Sequence, residues 1–138
     1  MSAVAERPQR AAISAGQAWA PAAVTITAAG LSLARLAATG DPFRTVWGED
    51  GTVFLAEAQD DPAGSIITTY AGYAHLAPRL VALAGSMLPV SWWAALATLT
   101  SVAAVGALAG FVFVAAKRVT GRTRAALVAA AGLPLAGA

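Results

Sequence analysis

The 138-residue chain contains no cysteine and little charge: 12% of its residues are Asp, Glu, Lys or Arg, 58% are hydrophobic, and the mean hydropathy is +0.66. The absence of cysteine excludes disulfides, thiolate metal sites and sulfur nucleophiles. The net charge is +2, but no basic stripe interleaved with aromatic residues is present, which argues against a nucleic-acid partner. A chain this apolar is typical of a lipid bilayer rather than of a soluble domain.

The first long stretch without charge predicts a membrane-spanning helix. Residues 11–34 contain no ionisable side chain and lie between Arg10 and Arg35, which matches one span of about 20 residues. We place transmembrane helix 1 at residues 11–38. The alternative is a secretory signal cut after "LAA", which would leave a mature N-terminus near Gly40. We favour the uncleaved anchor because the apolar run exceeds the roughly 7 to 15 residues of a signal peptide.

The second uncharged stretch, residues 80–116, is too long for one perpendicular span and is interrupted by Pro89. We therefore predict a short interfacial or re-entrant piece at 80–88 and transmembrane helix 2 at 91–116. The latter opens on two tryptophans, which suit headgroup depth. Its one small-xxx-small pair, Gly106 and Gly110, would allow another transmembrane helix to approach closely.

Charge asymmetry sets the predicted orientation. Lys117 and the arginines near it form a short basic connection, and basic residues also precede the first span, so both ends are expected in the cytoplasm of a multi-pass cell-membrane protein. The predicted segments are a cytoplasmic N-terminus (1–10), transmembrane helix 1 (11–38), an extracytoplasmic loop with short interfacial helices (39–90), transmembrane helix 2 (91–116), a basic cytoplasmic loop (117–124) and a partial transmembrane helix 3 (125–138). The fold class is thus an all-α integral membrane protein with two full spans and a truncated third helix. Because about 14 residues of helix reach only about 21 Å, we expect the chain to be part of a longer protein.

The loop between the spans is acidic. Six of the seven acidic residues lie there: Asp41, Glu49, Asp50, Glu57, Asp60 and Asp61. A structureless loop of this length is unusual, so short helices are expected within it, one of them at "TVFLAEAQ" before the turn signal "DDPAG". Glu57 is expected on the solvated face of that helix, and Asp60 and Asp61 at its solvated end.

The adjacent carboxylates Glu49 and Asp50 follow the first span by only about eleven residues and are flanked by large apolar side chains. Such a pair at the membrane surface suits a general base or ligands for Mg²⁺ or Mn²⁺ against a phosphate. The alternative is structural: Asp50 would cap a helix beginning at Gly51 or Thr52, and Glu49 would be solvated.

The segment "WGEDGTVFLAEA", followed by "TTYAGYAHLAPRLVALAGSMLP", resembles the N-terminal part of bacterial multi-pass glycosyltransferases of the C-type fold, which use polyprenyl-phosphate sugars. The resemblance spans roughly residues 10–138 and is clearest over 47–89. It implies that Asp50, with Glu49 as its partner, is the catalytic carboxylate, acting as a base or as a ligand of a divalent cation. Such enzymes have more spans than this chain, so the resemblance also implies that these 138 residues alone do not form a complete active site.

Four further residues are candidates for substrate binding: Arg79, His75, Tyr70 and Tyr73. A guanidinium fork matches phosphate geometry, and the aromatic side chains would contact the phosphate or the sugar of the lipid donor. The alternatives are that Arg79 extends to lipid headgroups, that the tyrosines are interfacial belt residues and that His75 is structural.

These patterns lead to two hypotheses of different class. The first is part of a membrane glycosyltransferase that moves a sugar from a polyprenyl-phosphate donor to an extracytoplasmic acceptor. The second is a small non-enzymatic membrane protein, a scaffold or a degenerate remnant, that packs against other transmembrane helices through its small residues.

Overall fold

Residues 15–132 are described by a computed structural model, with side chains from residue 19 onward. This part of the chain is helical and contains no β-strand, which confirms the all-α class. The α-helices are α1 (Ala15–Thr39), α2 (Ala56–Asp60), α3 (Leu76–Ser86), α4 (Trp93–Thr120) and α5 (Thr123–Ala131). A π-helical turn, Asp50–Leu55, precedes α2, and two 3₁₀ turns occupy Gly64–Ile66 and Val90–Trp92.

Two helical stretches are long and apolar enough to span a membrane: Trp19–Thr39 and Val90–Thr120. A core helix of a soluble protein of this length would be mostly buried by its own chain. Here only 6% of the first apolar window and 28% of the second are buried. The prediction of two apolar helices of spanning length is therefore confirmed.

The end of α1 agrees with the prediction and the end of α4 does not. Helix α1 ends at Thr39, one residue after the predicted end at 38. Helix α4 continues through Lys117 and ends where Gly121 adopts φ +64°, a left-handed conformation that favours glycine. Since α5 begins at Thr123, only two residues connect it to α4, and much of the predicted 117–124 loop is helical. Residues 1–14 and 133–138, which hold the predicted N-terminal tail, the start of helix 1 and the end of helix 3, lie outside the described residues.

Helices α1 and α4 pack through small residues. A Cβ added at Gly106 would lie 2.8 Å from the Thr25 carbonyl oxygen and 3.0 Å from the Ala29 Cβ. A Cβ at Gly110 would collide with the Thr25 hydroxyl. The close approach expected at these glycines is thus present, and its partner is α1 of the same chain.

A small core extends this contact to α5. It consists of Ala28 of α1, Ala109 and Phe113 of α4, and Ala126 and Ala130 of α5. Phe113 is the one large side chain among them and is fully buried. The remaining members are alanines, so this core depends on backbone proximity rather than on large apolar side chains.

Residues 40–92, which we call the connecting segment, pack around a second small core between α1 and α4. Its core consists of Phe54, Leu55, Ala58 and Ala82, which join the π-helical turn and α2 to α3. Helix α3 has 11 residues, about 16 Å, which is too short to cross a bilayer. It covers residues 76–86, overlapping most of the piece expected at 80–88.

Candidate functional site

The acidic pair lies on the first helical stretch of the connecting segment. The chain is helical from residue 48, so Asp50 lies inside the helix rather than ahead of it. Glu49 also has helical dihedral angles, φ −66° and ψ −37°, and makes no side-chain cap hydrogen bond. The expectation that Asp50 caps a helix starting at residue 51 or 52 is therefore wrong. The turn beginning at Asp50 is π-helical, a rare geometry that occurs often at functional sites.

The two carboxylates face different surroundings. Successive helix positions project roughly 100° apart, so neighbouring side chains cannot share one face. Glu49 is exposed, and its Oε1 lies 3.5 Å from the Tyr70 hydroxyl, at the weak limit of a hydrogen bond. Asp50 is half-buried and lines a cavity between α3 and α4. The two carboxylates are adjacent in the sequence, and the structure gives them different surroundings.

The cavity beside Asp50, which we call the α3–α4 cavity, has a volume of about 310 Å³. Asp50 is the only ionisable side chain on its wall in the part of the chain that the structure describes. The wall is mostly apolar and includes Val46, Leu55, Val81, Trp93 and Leu96. It continues along α4 as far as Ala104, inside the span candidate. The cavity therefore joins a carboxyl group to a surface that runs along an apolar helix.

Burial beside this apolar wall raises the pKa of Asp50 above its ordinary value of 3.8, and the neighbouring Glu49 charge raises it further. Burial is the larger cause, because removing a carboxylate from water disfavours its charged form. A carboxylate with a raised pKa holds a proton more tightly. Asp50 is thus a stronger base than an exposed aspartate.

The aromatic candidates form one cluster, Phe54, Tyr70, Tyr73 and His75, which we call the aromatic cluster. The His75 ring lies 5.5 Å from that of Phe54, 5.8 Å from Tyr70 and 6.1 Å from Tyr73, measured between centroids. The two tyrosines close a tight turn by mutual backbone hydrogen bonds of 2.9 and 3.0 Å. The structure thus brings the three predicted aromatic residues together and adds Phe54.

His75 is held in an unusual backbone conformation, with φ +42° and ψ 42°, immediately before α3. For a residue other than glycine this region costs about 1 kcal/mol or more. In this conformation the His75 ring contacts the other three rings of the aromatic cluster. Its Nε2 atom is buried and has no hydrogen-bond partner among the described residues.

Arg79 does not extend to the surface. Its side chain is fully buried, with Nη1 2.6 Å from the Glu57 Oε2 and 2.5 Å from the Ser65 carbonyl oxygen. Its guanidinium carbon lies 5.2 Å from the centre of the Phe54 ring. The alternative that Arg79 reaches for lipid headgroups is therefore wrong. The Nε and Nη2 atoms of Arg79 are also buried and have no partner among the described residues. The predicted contact of Arg79 with a donor phosphate stays a prediction.

Glu57 is the residue that the sequence interpretation missed. It was expected on a solvated face, and it is instead the ion-pair partner of Arg79. No local signal names Glu57 as the partner, because α2 also contains Asp60; the pairing follows from the cost of burying the charge of Arg79 alone. Asp60 and Asp61 are exposed, as expected for a solvated helix end. Asp61 Oδ1 accepts the Gly64 N–H at 3.0 Å, as expected for the turn.

The residues do not fit a protein-built metal site. Within residues 15–132, no group of three or more His, Asp or Glu side chains is arranged to hold a metal ion. The predicted role of Asp50 and Glu49, holding Mg²⁺ or Mn²⁺ against a phosphate, needs only one or two carboxylates and stays a prediction. The mechanism below is written for Asp50 as a base.

Comparison of the chain with protein-family models, with curated proteins and with solved structures finds no match in any of the three.

Proposed function

We propose that this chain is part of a membrane glycosyltransferase that uses a polyprenyl-phosphate sugar, with Asp50 as its general base. The observation that carries the proposal is the position of Asp50: it is the one ionisable group on the wall of the α3–α4 cavity in the described part of the chain. The sequence resemblance over residues 47–89 supplies the reaction class.

The raised pKa of Asp50 supports its role as a base. In the proposed reaction, the ionised Asp50 carboxylate takes the proton of an acceptor hydroxyl. The hydroxyl oxygen then forms a bond to the anomeric carbon of the sugar, while the bond from that carbon to the phosphate oxygen breaks. The polyprenyl phosphate leaves with the electron pair, and Asp50 later returns its proton to water. A base at hydrogen-bond distance contributes typically 10²- to 10⁴-fold to such a step.

The shape of the cavity supports a lipid-linked substrate. Its apolar wall follows α4 from Trp93 to Ala104, a rise of about 17 Å, and α4 is apolar enough to lie in hydrocarbon. An apolar chain lying along that wall would have its polar end near Asp50. The exposed aromatic edge of the cluster, where Tyr73 is 71% exposed, is a suitable surface for a sugar ring.

The proposal requires the connecting segment to lie outside the cell and α1 and α4 to cross the membrane. Because the chain lacks cysteine, single cysteines can be introduced without background. In intact cells, a membrane-impermeant maleimide should label Asp60→Cys and should leave Thr123→Cys unlabelled until the membrane is permeabilised. Both side chains are exposed in the structure. Labelling of Thr123→Cys alone in intact cells would place Asp50 on the cytoplasmic side and refute the proposed reaction.

The activity is testable in membranes of cells that naturally produce the chain. Radiolabelled polyprenyl-phosphate sugars are supplied, and incorporation into extracytoplasmic acceptors is compared for the wild type, a deletion strain, Asp50→Asn and Asp60→Asn. We expect the deletion strain and Asp50→Asn to incorporate less labelled sugar into the same acceptors, each by at least about 100-fold. Asp60→Asn removes an exposed carboxylate ten residues away and should keep the wild-type level. Full incorporation in the deletion strain would overturn the function.

The second hypothesis, a non-enzymatic membrane scaffold, has less support from the geometry. The small-residue pair proposed to bind partner helices, Gly106 and Gly110, already contacts α1 within the chain. A scaffold would need another face for its partners.

A further inference from the structure

The helix that carries Asp50 has an irregular pitch that its own sequence does not explain. The π-helical turn Asp50–Leu55 is six residues long, and such turns are rare because they fit one extra residue into a helical turn. Within this turn, Phe54 and Leu55 are both buried. Tertiary contacts at the turn and immediately after it must therefore stabilise it against an ordinary α-helix.

Arg79 supplies contacts at both places. Its guanidinium carbon lies 5.2 Å from the centre of the Phe54 ring, inside the π-helical turn. Its Nη1 binds Glu57 at 2.6 Å, in the short helix α2 that follows. The same nitrogen binds the Ser65 carbonyl oxygen at 2.5 Å, which fixes the chain after α2. One buried side chain thus holds three successive parts of the connecting segment.

Arg79 also belongs to the helix that forms the opposite wall of the α3–α4 cavity. Its α3 neighbours Ala77, Pro78 and Val81 line that cavity, as does Asp50 from the π-helical turn. The contact between Arg79 and Glu57 therefore fixes the distance and the rotation between two walls of one cavity. A slip of one helical position would rotate side chains by roughly 100°, enough to turn Asp50 away from the cavity.

We propose that Arg79 and Glu57 are positioning residues: their buried ion pair keeps the π-helical turn in register on α3 and thereby directs the Asp50 carboxyl into the α3–α4 cavity. The proposal rests on the proposed function only in naming Asp50 as the group to be positioned. Its geometry can be measured without any transfer reaction.

The test uses nuclear magnetic resonance of the full chain in lipid nanodiscs with a soluble paramagnetic probe. In the wild type, the β-protons of exposed Glu49 should relax markedly faster than those of half-buried Asp50. Glu57→Gln should raise the relaxation of Asp50 at least about twofold, towards that of Glu49. The matched control is Asp60→Asn, which also neutralises one acid of α2 and should leave both rates unchanged. Contacts between the rings of Tyr70 and His75, which lie outside the π-helical turn and have centroids 5.8 Å apart, report that the segment stays folded.

An unchanged relaxation of Asp50 in Glu57→Gln, with the ring contacts intact, would overturn the proposal. If Glu57→Gln loses the ring contacts, Glu57→Asp decides, because it keeps the negative charge of α2 but shortens the side chain by one methylene and so weakens the ion pair with Arg79. Increased relaxation of Asp50 with intact rings then supports the positioning role, and unchanged relaxation refutes it. Loss of the ring contacts in both variants would show a general stabilising role and would also overturn the proposal. Failure of the transfer assay alone would affect the proposed function and not this result.

Discussion

The α1–α4 pair and the connecting segment are held together by opposite kinds of contact. The helix pair meets at Gly106 and Gly110, where the backbone oxygen and the hydroxyl of Thr25 occupy the space that a side chain would need. The connecting segment is held by large side chains, with Phe54 buried against other rings and Arg79 buried against Glu57. Helices in lipid are not driven together by the hydrophobic effect, so the proposed membrane location of α1 and α4 fits a contact made by close approach and dispersion. A segment in contact with water can instead bury apolar area and pair charges.

Arg79→Ala should have the largest effect, and it should destabilise the connecting segment more than the α1–α4 pair. Removal of one partner of a buried ion pair costs about 3–5 kcal/mol, and partial exposure of Glu57 places this pair at the lower end. Amide hydrogen exchange should accelerate in the connecting segment and stay unchanged in the middle of α1 and α4. Arg44→Ala, at an exposed arginine of the same segment, should have little effect. Equal acceleration in both regions would show that they unfold as one unit.

Gly106→Ala should have the opposite effect and destabilise the α1–α4 pair more than the connecting segment. The new Cβ would lie 2.8 Å from a backbone oxygen of α1, which can be relieved only by moving the helices apart, at a cost of about 1–3 kcal/mol. Exchange should accelerate in α1 and α4, measured beside Gly30→Ala, where a Cβ meets nothing within 4 Å. The control should be neutral or stabilising because alanine favours helix over glycine. A Gly106→Ala variant as stable as the control would contradict the close packing.

The stability of the protein should depend on pH through the Asp50 carboxyl of the connecting segment. Its pKa is raised on folding, so the native state binds a proton more tightly than the unfolded chain. This contribution to the free energy of unfolding is fully present below pH 3.8 and is lost as the pH rises through the raised pKa. Asp50→Asn should not show this loss. The free energy of unfolding of the variant, relative to that of the wild type, should therefore be greater above the raised pKa of Asp50 than at low pH. Denaturant unfolding of both proteins across pH measures it, and parallel pH profiles would show that the Asp50 carboxyl is not desolvated.

Tyr70→Phe should have the smallest effect. The hydroxyl is 3.5 Å from Glu49 Oε1 and the pair is exposed, so its loss should change the free energy of unfolding by no more than about 0.5 kcal/mol. The ring contact with Phe54 is retained. A loss above about 1 kcal/mol in thermal or denaturant unfolding would show that the hydroxyl makes a stronger contact than the one to Glu49.

Predictions from the sequence were correct where hydropathy and local charge decide the structure. The sequence predicted the two apolar helices, the helical stretch within the acidic loop and the turn at Asp61. It was wrong at Glu57, expected on a solvated face, and in the alternative that Arg79 extends to lipid headgroups, since the two residues are paired with each other 22 residues apart. Their partners depend on how α2 and α3 pack, and no local pattern along the chain states that. The cap expected at Asp50 was wrong because the helix begins earlier, at residue 48.

By itself the sequence determined that the chain has two apolar helices of spanning length with an acidic segment between them, because the free energy of transfer from water to hydrocarbon is set residue by residue. Only the tertiary structure decided that Asp50 faces a cavity while Glu49 faces water, and that Arg79 is buried against Glu57. The reason is geometric. A side chain's direction depends on its position on the helix and on the packing of neighbouring helices. In this chain Asp50 lies one helix position, roughly 100°, from Glu49 and is the one of the two that lines the α3–α4 cavity.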